Sequence, residues 1–323
     1  MALTFFTVTE SRDPDRPRSI GYAGTVLVAL TLAPFILAVS EGSDGGWVSV
    51  ATLTCFGVSV AAGFAFVAVE RRVPVPLLLD LALLRNRVLV GATVAILIGA
   101  GTINGLMYLL SLYFQDENTL GFTPLQAGLA TLPATVGLVL VAPLVPRLAA
   151  RFGGRQVIGV GFAVTTAGFA AIGFVQPSWR YLAFLLPLIA VAVGMGLSNG
   201  PASSAATAAV SADEVGAASG VSNMARYVGA AVATALAATI YATVTANRTA
   251  AGETASEALS SGLALASWVM AAFSFAGVFM ALVMARHRAA KGTVHDSAAA
   301  AAAHTHTLRT SATLVVVRAA SRE

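Results

Sequence analysis

Charge is scarce in this sequence, and acidic charge is missing altogether from the interior of its long apolar runs. Only 11% of its 323 residues are Asp, Glu, Lys or Arg, against 57% hydrophobic. A soluble domain carries roughly a quarter of its residues as charges to cover its surface. A water-soluble globular fold is therefore excluded, and a soluble enzyme domain with it. Cysteine occurs once, at Cys55, which rules out disulfides within the chain and metal sites built from several cysteines. That residue lies in an apolar run and is expected to pack as a small apolar side chain.

Other absences narrow the function. No nucleophile and base pair, metal-ligand spacing or phosphate-binding loop stands out. Gly194, Gly196 and Gly200 fall in an apolar run with no strand before them, so a nucleotide-binding reading fails its context. No enzymatic activity, metal or cofactor is expected. The net charge of +4 and the pI near 9.6 would fit a nucleic-acid binder. The arginines, however, sit at the ends of apolar runs rather than on one soluble face, so no nucleic-acid partner is expected.

What the sequence does have is eight apolar runs, at about 20–40, 47–69, 88–114, 125–144, 157–175, 181–199, 227–246 and 263–285, and a mean hydropathy of +0.81. Each is about the length a helix needs to cross a hydrocarbon core of roughly 30 Å. The basic residues fall on alternate connections. The first segment (Arg12, Arg16, Arg18), residues 71–87, residues 147–155, Arg226 and the C-terminal tail hold 17 of the 19 Lys and Arg, leaving only Arg180 and Arg248 on the other side. Cationic flanks stay in the cytoplasm. The expectation is thus a multi-pass, all-α protein of the plasma (inner) membrane with eight spans and both termini cytoplasmic.

The runs divide as two plus six. Residues 1–19 form a cytoplasmic N-terminal segment, and 20–69 form two helices joined across a short acidic loop ending at Trp47. Residues 70–87 form a cytoplasmic linker, 88–286 a six-helix bundle, and 287–323 an Ala-rich tail expected to be disordered, with His304 and His306 too weak a pair for a metal site. Met1 to Thr9 lack the features of a secretory signal and read as continuing from something that precedes them. In the linker, Pro74 and Pro76 hold the backbone extended ahead of an amphipathic piece at 77–85. Small residues at four-residue spacing, Gly91, Ala95 and Gly99, Gly101 and Gly105, Gly216 and Gly220, are expected at close helix crossings. Pro133, Pro143 and Pro187 are expected to bend spans or mark their ends.

Polar residues inside apolar runs are the functional candidates. Asn104, Tyr108 and Ser111 lie at i, i+4 and i+7 of the third span. Such a stripe costs too much to face lipid and is expected to turn into the bundle interior. It either touches a transported solute or bonds to a neighbouring helix. Ser219, Asn223 and Arg226 repeat that spacing before the seventh span. Asn247 lies 21 residues beyond Arg226, about 31 Å along a helix at roughly 1.5 Å per residue, which sets the arginine at the cytoplasmic boundary. There it either snorkels to headgroups or forms a gate contact. Ser211 and Glu214 read as a capping box, and Asn199, before Gly200 and Pro201, reads as a helix terminator.

The stretch Tyr113-Phe114-Gln115 followed by Leu120-Gly121-Phe122-Thr123-Pro124-Leu125-Gln126-Ala127-Gly128 resembles a signature of the major facilitator superfamily, in particular its drug:proton antiporter branch with fourteen spans. Residues 74–87, 147–155 and 216–226 extend the resemblance, the last block being the most specific. It implies that the eight spans correspond to the seventh to fourteenth of that branch, with the first six absent. The implied function is efflux of amphipathic, drug-like small molecules or antibiotics by alternating access, coupled to protons. The carboxylates that carry this coupling in the family lie largely in the absent spans.

By the same resemblance, Arg147, Arg151 and Arg155 stand in a cytoplasmic gating loop, although Ala150 occupies the place expected for its Asp. Gating, helix C-termini and anionic lipid are all open roles for these arginines, as is a simple topology signal. The site candidates are therefore Asn104, Tyr108, Ser111 and Asn223 on the substrate path and Arg147, Arg151, Arg155 and Arg226 at the gate. Membrane lipid and an absent N-terminal half are the expected partners. The alternative is a truncated fragment or membrane scaffold that transports nothing.

Overall fold

A computed structural model of the chain describes residues 22–72, 83, 85–212 and 214–281. The N-terminal arginines, Pro74, Pro76, nearly all of the amphipathic piece at 77–85, and the tail with His304 and His306 lie outside the described residues. Ten helices are described: α1 (Tyr22–Gly45), α2 (Val50–Arg72), α3 (Arg87–Gln115), α4 (Pro124–Ala130), α5 (Leu132–Val141), α6 (Val145–Phe152), α7 (Gly154–Ile172), α8 (Tyr181–Thr207), α9 (Val215–Ala250) and α10 (Ala255–Ala281). No strand occurs among the described residues. With α4 and α5 taken together as one span, eight segments are long and apolar enough to cross a membrane.

Helix ends are fixed by local chemistry. Asn86 caps α3 by accepting from the amides of Val88 and Leu89, and its Nδ2 donates to the carbonyl of Ala209, tying this end to the turn after α8. Thr123 and Gln126 form a reciprocal capping box on α4, with Pro124 in the first turn, where its missing N–H costs nothing. Ser211 and Glu214 depart from expectation. The Glu214 carboxylate accepts from the Ser211 amide, but the Ser211 hydroxyl donates to that carboxylate at 2.5 Å rather than capping an amide. A working box stands instead before α10, where Thr254 and Glu257 exchange backbone and side-chain bonds.

Proline acts in three different ways. Span four breaks at Thr131, ahead of Pro133. The amide of Ala134 turns back to the carbonyl of Thr131, and the carbonyl of Ala130 accepts instead from the Tyr181 hydroxyl at 3.0 Å. Pro143 lies in the turn between α5 and α6. Pro187 and Pro201 stay inside an unbroken α8, so Asn199 does not terminate that helix. Neighbouring helices carry the packing that keeps the backbone helical through a proline in lipid.

The bundle is held by close backbone approach. Antiparallel α7 and α8 meet at Gly161 and Gly194, where a Cβ on Gly161 would stand 2.6 Å from the carbonyl oxygen of Gly194. Parallel α3 and α9 meet at Gly101 and Gly229, where a Cβ on Gly101 would stand 2.8 Å from the Gly229 carbonyl. Gly101 and Gly105 thus serve as expected. Gly216 and Gly220 do not, since no described residue lies within 4 Å of a Cβ at either position.

Helix α3 is central, with Leu106, Leu109, Leu110 and Phe114 buried against its neighbours. The buried Tyr113 hydroxyl bonds Ser260 of α10 at 3.0 Å. Phe114, Phe122, Tyr181, Phe184 and Trp179 form a chain of edge and tilted ring contacts that joins the same ends of α3, α4 and α8. Helices α1 and α2 pair through Ser59 Oγ, which donates to the carbonyl of Thr31 at 2.7 Å, and α1 packs on α9.

Candidate functional site

The polar stripe of α3 does not turn into the bundle. Asn104, Tyr108 and Ser111 are all exposed, on the side of α3 opposite its buried leucines. Asn104 Nδ2 donates back to the carbonyl of Ala100 at 2.8 Å, and Gln115 Nε2 donates to both the carbonyl and the hydroxyl of Ser111, at 2.9 and 2.7 Å. None of these bonds reaches another helix. The expected alternative, in which the stripe bonds to a neighbour within this bundle, is not what the fold uses. Gln115, one turn beyond Ser111, extends the stripe to the end of the helix.

A second polar group forms where α8 and α9 meet. Arg226 is half-buried, and its guanidinium donates to Asn199 Oδ1 at 3.3 Å and Ser203 Oγ at 3.5 Å. The two acceptors lie four residues apart on α8, one above the other on the same face. In the sequence Asn199 reads as a helix end, and Ser203 carries no mark of its own. The sequence signal is a polar pair at i, i+4 flanking Pro201, a proline that a packed membrane helix can carry.

Asn223, Met224 and Tyr227 are exposed on α9 around this point, Tyr227 strongly so. The i+3 and i+4 spacing sets Asn223 and Tyr227 on one flank of Arg226. This face therefore presents an amide, a thioether and a phenol beside a fixed guanidinium. Such a set can bind a solute with both an apolar body and an acceptor group, and holds nothing that would carry out a covalent reaction.

The remaining arginines are elsewhere. Arg147 and Arg151 are exposed on α6, whose buried side, Val145, Leu148 and Ala149, packs on α7 and α8 through Val157, Leu197 and Val193. Arg151 stands 5.3 Å over the ring of Phe152, and Arg155 is half-buried in the first turn of α7. Ala150, where an acid was expected, is exposed. The structure thus joins Arg226 to α8 but does not bring Arg147 or Arg151 to it.

A family model described as Major Facilitator Superfamily matches residues 15–234. The multidrug resistance protein Stp of Mycobacterium tuberculosis is 30% identical over 228 residues, which are 71% of this chain and 42% of that protein. The multidrug efflux pump LfrA of Mycolicibacterium smegmatis is 29% identical, over 69% of this chain and 43% of that protein. The puromycin resistance protein pur8 of Streptomyces alboniger is 32% identical, over 64% and 41%. The chain thus spans less than half the length of these relatives. A solved structure of an auto-inhibited POT family peptide transporter aligns with a TM-score of 0.49 at 16% identity, over 85% of this chain and 55% of that one.

Proposed function

The chain belongs to the major facilitator superfamily and is a multi-pass membrane protein of a transporter family, not an enzyme. From that premise we propose that it forms the C-terminal part of an exporter of amphipathic drugs or antibiotics, working by alternating access and coupled to protons. In this reading α1 and α2 are linking spans of a fourteen-span transporter, and α3 to α10 are one wall of the translocation path. The opposite wall is an N-terminal six-helix bundle, which also carries the carboxylates for proton coupling. Both termini and the Arg226 end of α9 lie in the cytoplasm.

The observation that carries the proposal is the exposed stripe of Asn104, Tyr108 and Ser111. A polar face along the middle and one end of a membrane helix is costly against acyl chains. Among the described residues its hydrogen bonds stay within α3, which in this reading leaves the stripe to water, solute or a second bundle. Asn104, Tyr108, Ser111 and Asn223 are the solute-facing residues in this reading. Arg226, tied to Asn199 and Ser203, is the gate contact at the inner mouth. The efflux roles of Stp and LfrA named above support the class of substrate, as does the apolar and aromatic company of the polar groups.

The test is accumulation of an amphipathic dye such as ethidium in cells that make this chain alone, or joined to an N-terminal six-span bundle. The joined form is expected to lower accumulation and the chain alone to leave it unchanged, with collapse of the proton gradient restoring it. A joined form that inserts in the membrane yet leaves accumulation unchanged would overturn the reading in favour of a scaffold.

A further inference from the structure

Span four carries a feature that the transport reading leaves unused. Leu129, Leu132, Val136, Leu140 and Leu144 are all exposed, between 47% and 67%, and follow one another at three- and four-residue spacing. The same spacing continues to Arg147 and then Arg151 on α6, both exposed. Through the break at Thr131 and the turn after Val141 the chain keeps a right-handed course, with Thr131, Ala142 and Leu144 all at right-handed helical dihedrals. One continuous face therefore runs from a leucine and valine ridge into a pair of guanidinium groups one turn apart.

The arginines have no carboxylate partner among the described residues. No acid lies between Glu117 and Asp213 in the sequence, so none is available from α4 to α8. The opposite side of α6 is fixed on α7 and α8, which holds the two guanidinium groups outward. Phe152, half exposed, sets an apolar ring 5.3 Å from the Arg151 guanidinium.

We propose that this face is a binding site for an anionic phospholipid, with the phosphate held between Arg147 and Arg151 and an acyl chain lying along the leucine and valine ridge. The inference rests on reading the chain as membrane-spanning, not on its transporting anything. Two observations select lipid over another protein surface. The ridge residues are all apolar, unlike the polar stripe of α3, and the last of them, Leu144, is followed at the same spacing by two cations, Arg147 and Arg151. Arginine forks match phosphate oxygens, and each basic residue near an anionic surface adds roughly a factor of five in binding.

The test is native mass spectrometry of the full chain released from detergent with phosphatidylglycerol or phosphatidylcholine of identical acyl chains. Phosphatidylglycerol is expected to be retained in preference, and the double variant R147Q/R151Q to lose that preference by roughly 30-fold, two factors of about five. The control R248Q, at the other end of the helices and paired to Glu253 at 2.6 Å, is expected to bind as the parent does. Thermal unfolding of the double variant within a degree or two of the parent shows that the loss is one of binding. Equal retention of the two lipids overturns the proposal, and so does a double variant that keeps the preference. Displacement of phosphatidylglycerol by equimolar inorganic phosphate would also overturn it, by showing an anion site with no use for the ridge.

Discussion

Replacing Gly194 with alanine is expected to destabilise the bundle by about 3 kcal/mol or more, at the upper end of what overpacking a core costs. The new Cβ would stand 2.5 Å from the carbonyl oxygen of Gly161 and 2.6 Å from the amide nitrogen of Thr165, with the Thr165 hydroxyl closer still. These are mainly backbone atoms on a rigid helix, so no side chain can swing aside and α7 must move away from α8. Separation forfeits dispersion contacts along the whole crossing. In lipid no hydrophobic driving force between helices makes up the loss.

Gly161→Ala, which meets the same crossing from the other side, is expected to behave alike. Gly216→Ala and Gly220→Ala, with nothing within 4 Å, are expected to be neutral or to gain up to about 1 kcal/mol of helix propensity. Thermal unfolding in detergent compares the four variants. If Gly194→Ala melted with the two controls, the backbone crossing would not be what holds α7 to α8.

Arg226→Lys is expected to reduce transport by the joined protein as severely as Arg226→Ala, roughly 10- to 100-fold. The magnitude follows from hydrogen bonds to a charged group, each about 1.5–3 kcal/mol, if they form in one state of the gate and break in the other. A lysine keeps the charge, but its single ammonium cannot span Asn199 and Ser203 as the planar fork does. Snorkelling to headgroups predicts the reverse, a lysine that works and an alanine that fails, because a flexible ammonium reaches headgroups as well as a guanidinium does. Asn199→Ala combined with Arg226→Ala is expected to cost no more than Arg226→Ala alone. Strict additivity of the two in transport assays would contradict the contact's role in gating.

The long apolar runs and their basic connections were sufficient to identify eight crossings, because hydropathy over about 20 residues is a strong signal. Their ends were less legible. Helix α9 begins at Val215 and extends to Ala250, well past the apolar run at 227–246, since the glycine, serine, asparagine and arginine within 215–226 lower hydropathy without ending the helix. Pair contacts were legible only in part. Gly101 and Gly105 were identified correctly as a close crossing. Gly161, Gly194 and Gly229 were not, because spacing within one helix does not say which glycines meet a partner's backbone.

The stripe at Asn104, Tyr108 and Ser111 was visible as one face, but its direction was not. Burial cost alone points it inward, whereas the structure leaves it exposed, with no bond to another helix among the described residues. Asn199 was misread because Gly-Pro ends soluble helices, whereas a packed membrane helix continues through it.

In the proposed exporter the α3 stripe borders water inside the membrane, while the ridge of span four borders lipid. Single cysteines placed at Tyr108 and Ser111, and at Val136 and Leu140, in a Cys55→Ala background, can be exposed in native membranes to a water-soluble, membrane-impermeant maleimide. Tyr108→Cys and Ser111→Cys are expected to be labelled rapidly, and Val136→Cys and Leu140→Cys are expected to stay unlabelled. Labelling of the stripe as slow as that of the ridge would contradict this reading, because the polar face of α3 would then border no water-filled path.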